Sequence, residues 1–301
     1  MKAIRNIFLA FPLFTLITGI FTSCEDVVEV DLGNQTTNLY AVEAKITTEN
    51  NPYVFLYKSQ RVDNDTEYTG ISGAHVTVYE NGPPGNAFTL KEHPQFKGFY
   101  GIPSSLNHRG ETEKTYTVEI ETNGLILSAT EKLQRVEPID SIQVKPSLRG
   151  DSIFLGVFTY GNEPAGQGDF YKWDIYVNDS LLSDAMSLVI ASDELVDGNY
   201  IDGFEIFTDF HEPDKPENRT LKVGDTIQVK QTSLTPFAYD YYFQMLNQSQ
   251  TGGLFSVPPA NIQGNFTASD GSTVLGLFTA HDVSVSNKII IDQKLDNQLK
   301  N

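Results

Sequence analysis

The sequence predicts a mainly β protein built as two successive β-rich domains, the second carrying one principal helix. Three observations lead there. Tyr, Phe, Thr, Val and Ile are abundant and recur in short runs, as strands require. The runs are separated at close intervals by Gly, Asn, Asp and Pro, the residues that turn a chain. Helical periodicity appears in only one segment.

The elements follow in order. Leu39 to Thr47 (LYAVEAKIT) alternates apolar and polar side chains, and Pro52 to Ser59 (PYVFLYKS) is a second such run. Gly73 to Tyr79 (GAHVTVY) alternates at Ala74, Val76 and Val78 and ends in the Asn81-Gly82-Pro83-Pro84-Gly85 turn. Phe88 to Lys91 and Gly98-Phe99-Tyr100 are shorter pieces. Thr115 to Glu121 and Leu125 to Thr130 flank Thr122-Asn123-Gly124, a hairpin signal. This spacing predicts a sandwich over residues 39–137. The order of Ile71-Ser72-Gly73-Ala74, Gly98-Phe99-Tyr100, Tyr116 and the Thr122-Asn123-Gly124 turn resembles immunoglobulin-like or transthyretin-like modules.

Pro138-Ile139-Asp140-Ser141 marks the predicted boundary. In the second domain, residues 138–301, strands are expected at Ser141 to Lys145, Ser152 to Tyr160, Phe170 to Val177, Thr226 to Gln231, Thr273 to Ala280 and Val283 to Ile291. Residues 161–168 and 211–219 read as polar loops. A helix is expected near 236–250, with Thr235 as cap, Pro236 in the first turn and Gly252-Gly253 as terminator. Tyr239, Tyr242, Phe243 and Leu246 make one apolar stripe on it, expected to pack on a sheet. The single tryptophan, Trp173, alternates into the predicted core.

The first 23 residues read as a signal peptide. Lys2 and Arg5 precede an uncharged run over residues 7–21. That run is shorter than the roughly 20 apolar residues a membrane span needs and suits a secretory h-region. Thr22-Ser23-Cys24 follows and resembles the lipobox of bacterial lipoproteins, although Phe21 stands where the commoner pattern has Leu. Cys24 is the only cysteine of the chain, and lipid attachment there explains its position and uniqueness together. Residues 24–38 form an acidic tether. Within it Glu25, Asp26 and Glu29 resemble the signal that sends lipoproteins of Bacteroidota to the outer face of the outer membrane. A solvated spacer is the plainer reading of the same residues.

Without the signal, 19 basic side chains face 39 acidic ones. That balance argues against a nucleic-acid surface and against attraction to an anionic membrane. With one cysteine, no disulfide within the chain is possible, so the core rests on burial.

Taken together, the acidic segment, GAHVTVY and PIDSI are similar to the Bacteroidota lipoproteins grouped as domain of unknown function 4249. So are the aromatic helix before Gly252-Gly253, the Phe255-to-Ile262 loop (FSVPPANI) and the closing Gly276-Leu277-Phe278-Thr279-Ala280 strand. Leu277 and Ser272-Thr273 depart from the usual form of the last strand. The resemblance implies an outer-membrane lipoprotein carrying palmitate or similar acyl chains beside a TonB-dependent receptor, and implies no activity.

The residues themselves name no reaction. None of His75, His93, His108, His211 and His281 stands at metal-ligand spacing from another. His211-Glu212 with Asp214 reads as a solvated turn. Asp63-Asn64-Asp65-Thr66-Glu67 starts like a calcium loop, but Tyr68 replaces the required Gly and Ala74 the bidentate Glu. No cofactor is expected. Four Asp-Ser/Thr-aliphatic triplets place O-glycosylation candidates at Ser141, Ser152, Ser180 and Thr226. The expected function is therefore a non-enzymatic accessory or ligand-capturing lipoprotein of an outer-membrane transporter. A structural or adhesive surface protein, and a hydrolase with a carboxylate pair assembled by the fold, are the alternatives.

Overall fold

The computed structural model describes residues 38–60, 68–103, 105–183, 187–208, 220–249 and 262–295. The N-terminal part supplies seven strands: Tyr40–Thr47 (β1), Tyr53–Lys58 (β2), His75–Glu80 (β3), Asn86–Glu92 (β4), Phe99–Gly101 (β5), Thr115–Thr122 (β6) and Leu125–Lys132 (β7). Each matches a run read from the sequence. The later strands are Ser141–Arg149 (β8), Ser152–Asn162 (β9), Phe170–Val177 (β10), Ser180–Leu181 (β11), Val189–Ser192 (β12), Tyr200–Thr208 (β13) and Thr226–Leu234 (β14). Helix Pro236–Ser249 (α1) follows, then Thr267–Ala268 (β15), Val274–His281 (β16), Val283–Val285 (β17) and Ile289–Ile290 (β18). The protein is mainly β with one main helix.

The largest sheet runs β15-β7-β6-β3-β4-β5-β2-β1-β16. It bends at β4, whose first residues pair with β3 while Lys91 and Glu92 pair with β5. The two halves share one core. Val42, Ala44 and Ile46 of β1 and Val54 and Leu56 of β2 meet Val76, Val78, Val118, Ile120 and Leu127 from the other half, all essentially inaccessible. Full burial of each such aliphatic side chain contributes about 1.5–3 kcal/mol. Tyr100 lies in this core and satisfies its hydroxyl by donating to the Ile71 carbonyl (2.7 Å) and accepting from the Ala74 amide (3.0 Å).

β16 lies parallel to β1, with Val42 beside Gly276 and Thr47 beside His281. Gly276 has φ +96°, and a Cβ there would stand 2.0 Å from the Val42 carbonyl oxygen; only glycine allows this approach. Asn265 closes the outer edge of β16 in place of a strand. Its amide accepts from the Phe278 N–H (2.9 Å) and donates to the Phe278 carbonyl (2.8 Å) and to buried Glu131 (2.8 Å). The core of the first sheet is thus completed by Phe266, Val274, Phe278 and Ala280 from late in the chain.

A second core lies between the β11-β10-β14-β17 sheet, extended by β12 and β18, and the three-stranded β13-β9-β8 sheet. Leu155, Val157 and Ile206 face Trp173, Ile175, Ile227 and Val229 across it. Trp173 is 3% exposed, as the alternation of its strand predicts, and its indole N–H donates to Gln231 (2.8 Å). The segment between the two sets of strands is pinned by side chains from the last strands. Asp282 accepts from the Val136 amide (3.1 Å) and Ser284 from the Ile139 amide (2.9 Å). Lys230 reaches Glu49 at 2.7 Å.

β12 and β13 are not among the strands expected from the sequence. Asp202, Gly203 and Glu205 interrupt the alternation of β13, and the strand absorbs them in two β-bulges opposite β9. The predicted strand from Val283 to Ile291 is split into β17 and β18. Between them Ser286 exchanges hydrogen bonds with Val229, its hydroxyl accepting from the Val229 amide (2.9 Å).

α1 begins as predicted, the Thr235 hydroxyl accepting from the Ala238 amide (3.2 Å). It packs through Ala238, Tyr239, Tyr241 and Tyr242 onto Leu277, Leu234, Phe170 and Ile190. The expected stripe holds only in part. Phe243 is 49% exposed and stacks on Tyr239, while Tyr241 turns inward in its stead. α1 packs chiefly against β10, β12 and β14, with Leu277 of β16 beneath it, and that ground takes Tyr241 and Tyr242 together rather than Phe243. No helix among the described residues is long and apolar enough to cross a membrane.

Candidate functional site

Cys24, Glu25, Asp26 and Glu29 lie outside the described residues, as do Asp63 to Glu67, His211 to Asp214 and most of the FSVPPANI loop. Ser141 and Ser180 are exposed at strand starts, whereas Ser152 and Thr226 are half-buried. Thr226 and the Asp179-Ser180 turn are neighbours: Asn178 accepts from the Thr226 amide (3.0 Å) and donates to Asp225 (2.8 Å).

The fold assembles two features that the sequence reading did not single out. The first is an acidic cage. The loop after β9 carries Glu163 and Asp169; the turn after β12 carries Asp193 and Asp197. Strand pairing brings them together, because Phe170 opposite Ser192 sets Asp169 against Asp193, and Tyr200 opposite Asn162 fixes Glu163. Glu163, Asp169 and Asp193 each present an oxygen within 4.8 Å of the others. Glu163 and Asp193 are 5% and 1% exposed. The Gly168 amide donates to both Asp193 oxygens (3.1 and 3.0 Å) from a backbone at φ +121° that favours glycine. The Tyr171 hydroxyl donates to Glu163 at 2.8 Å.

Burial, and then the charges of Asp169, Asp193 and Asp197, push the Glu163 carboxyl up to about 7, against the opposing pull of the Tyr171 hydrogen bond. Burial, and then the charges of Asp193, Asp197 and Glu137, raise Asp169. Two states relieve this crowding: a proton held on Glu163, or a hard cation held by the three oxygens. A cleft of about 220 Å³ opens beside the cage, between Lys132, Gln134, Arg135 and Glu137 on one side and Pro164, Asp169 and Tyr171 on the other.

The second feature is an aromatic face on the outer side of β2 and β5. Tyr53 stacks on Phe99 (centroids 5.6 Å apart), Phe55 on Tyr57 (5.0 Å), and Tyr57 meets the edge of Tyr68 (5.2 Å). Farther along, His93 lies against Phe96 and Phe99. α1 flanks this face with half-buried Tyr241 and Tyr242, whose rings meet at 87°. Tyr68, Phe96, Phe237, Phe243 and Met245 are exposed around it. The Tyr53 hydroxyl donates to Glu43 at 2.5 Å.

Residues 25–287 match the family described as a domain of unknown function, DUF4249. The chain belongs to the DUF4249 family. The match covers β1 to β17 and α1, so the fold described above, apart from β18, is that of the DUF4249 region itself. No curated protein matches this DUF4249 chain.

β2, β5, β9 and β10 were legible in the sequence; β12 and β13, which carry the other half of the cage, were not. The acids come from loops well separated in the chain, joined by the β10–β12 and β9–β13 pairings. The aromatic face was visible as PYVFLYKS, whose outward positions are Tyr53, Phe55 and Tyr57. Aromatic residues on the solvent side of a strand, where polar ones are usual, are the signal that could have revealed it.

Proposed function

We propose that this DUF4249 protein is a lipoprotein of Bacteroidota type, anchored through acyl chains on Cys24 to the outer face of the outer membrane. There it captures a ligand as a non-enzymatic partner of a TonB-dependent transporter. The observation that carries the capturing role is the half-open aromatic face of β2 and β5 beside α1. Rings stacked on one another along one side and open on the other offer a preformed surface at little entropic cost, as reversible recognition needs. The anchoring role rests on the uncharged run, Thr22-Ser23-Cys24 and the acidic residues behind it. Several acyl chains on one residue hold a protein stably where a single chain is marginal.

Two experiments test the parts separately. Metabolic labelling with palmitate is expected to mark the wild type and not Cys24→Ala; label on the variant refutes the anchor. Purification from the native membrane in mild detergent is expected to bring a large β-barrel receptor with the chain. A preparation free of any barrel, together with impaired surface attachment and normal nutrient uptake in a deletion strain, favours an adhesive protein instead.

A further inference from the structure

Glu43 stands at the middle of β1, on the side turned away from the first core. Register places Phe55 beside it on β2 and Leu277 beside it on β16. Leu277 is buried under α1, yet Glu43 remains exposed, so the ground between α1 and the aromatic face is open above this carboxylate. Among the described residues it has no ion-pair partner, whereas Glu49, Glu80 and Glu205 each have one. Its bonded neighbour is the neutral hydroxyl of Tyr53. Its charge reaches the hydroxyls of Tyr53, Tyr57, Tyr241 and Tyr242, helping burial to keep all four protonated.

We propose that Glu43, bonded to Tyr53 and on the same side of the sheet as Phe55 and Tyr57, is the recognition point for an organic ammonium group on a small ligand. This names the ligand class for the capturing surface and rests on that reading. An exposed carboxylate beside aromatic rings offers a cation both a counter-charge and electron-rich ring faces. An anion meets the opposite, in a chain with a large acidic excess. The cations already present show the same preference. Lys45, on the same side of β1, holds its ammonium 5.8 Å from the Tyr53 ring centre, and Lys172, paired with Asp174, lies 5.9 Å from that of Tyr242. Neither makes an ion pair with Glu43, which leaves its charge for a ligand.

The test uses the full chain in detergent with choline as probe and dimethylbutanol, its uncharged isostere, as control. Choline at about 10 mM, above the millimolar Kd that one such contact supports, is expected to receive saturation transfer at its N-methyl protons in NMR, and the isostere is not. Glu43→Gln is expected to weaken choline about tenfold by calorimetry, with the melting temperature unchanged because Glu43 is exposed. Tyr57→Phe, which keeps the ring, is expected to bind as the wild type does, and Tyr57→Leu more weakly. Ethanolamine alongside distinguishes a primary from a quaternary ammonium ligand, and binding of either supports the site. Equal binding of choline and its isostere, wild-type affinity in Glu43→Gln, or no transfer from either amine overturns it. Co-purification of a barrel receptor in that event leaves the transporter reading standing and removes only this site.

Discussion

Replacing Glu163 by Gln tests the acidic cage through the pH dependence of stability. The native carboxyl titrates at about 7, against an ordinary value of 4.5. Between those values the folded protein holds a proton that the unfolded chain has released, so stability falls as pH rises through the window. Each pK unit corresponds to about 1.4 kcal/mol, and the displacement makes a loss of about 3 kcal/mol, complete once pH exceeds the native value. Asp169, raised for the same reasons, slopes the curve in the same direction. Glutamine keeps an acceptor for the Tyr171 hydroxyl and cannot ionise. The expected outcome in urea unfolding is near-equality of variant and wild type at about pH 4, and a variant more stable by up to about 3 kcal/mol at about pH 8. Parallel stability–pH curves for the two proteins, or a variant weaker at the alkaline end, would refute the reasoning.

Three further predictions follow from the packing. Asn265→Ala removes the side chain that serves both backbone groups of Phe278 and the buried Glu131; a loss of about 2–4 kcal/mol in chemical denaturation is expected. Gly276→Ala puts a methyl group into the Val42 carbonyl at positive φ, and a cost above about 3 kcal/mol, read as loss of soluble folded protein, is expected. His281 is held well below its ordinary value by burial and then by Lys45 and Lys172, and its Nδ1 has no partner among the described residues. Its native imidazole is therefore expected to stay neutral in an NMR titration while the unfolded chain protonates, so that stability drops as pH falls below about 6.5.

The fold was legible wherever local pattern and final structure agree. Strict alternation in GAHVTVY and TYTVEIE, and the Thr122-Asn123-Gly124 turn, are satisfied by adjacent strands. The Thr235-Pro236 start of α1 is satisfied by its own first turn. What stayed hidden depends on partners distant in the chain. β13 has a broken pattern that only bulges against β9 make regular. Thr273 to Ala280 reads as a strand, but nothing in its period says that it lies parallel to β1. Glu43 in LYAVEAKIT is one polar residue at an outward position. It acquires meaning only when α1, some 200 residues later, brings Tyr241 within reach of its charge.

The parallel seam between β1 and β16 also bears on how the protein can be made. Tyr40 and Val274 are neighbours in the sheet, so a chain emerging from the ribosome carries an unpaired edge on β1 until Val274 to His281 have been synthesised. Closing so long a loop is slow, and the core beneath it lacks Phe278 meanwhile. A chain that cannot finish folding early stays open for longer, and the hazard of edge-to-edge association is concentrated in the interval before β16 arrives.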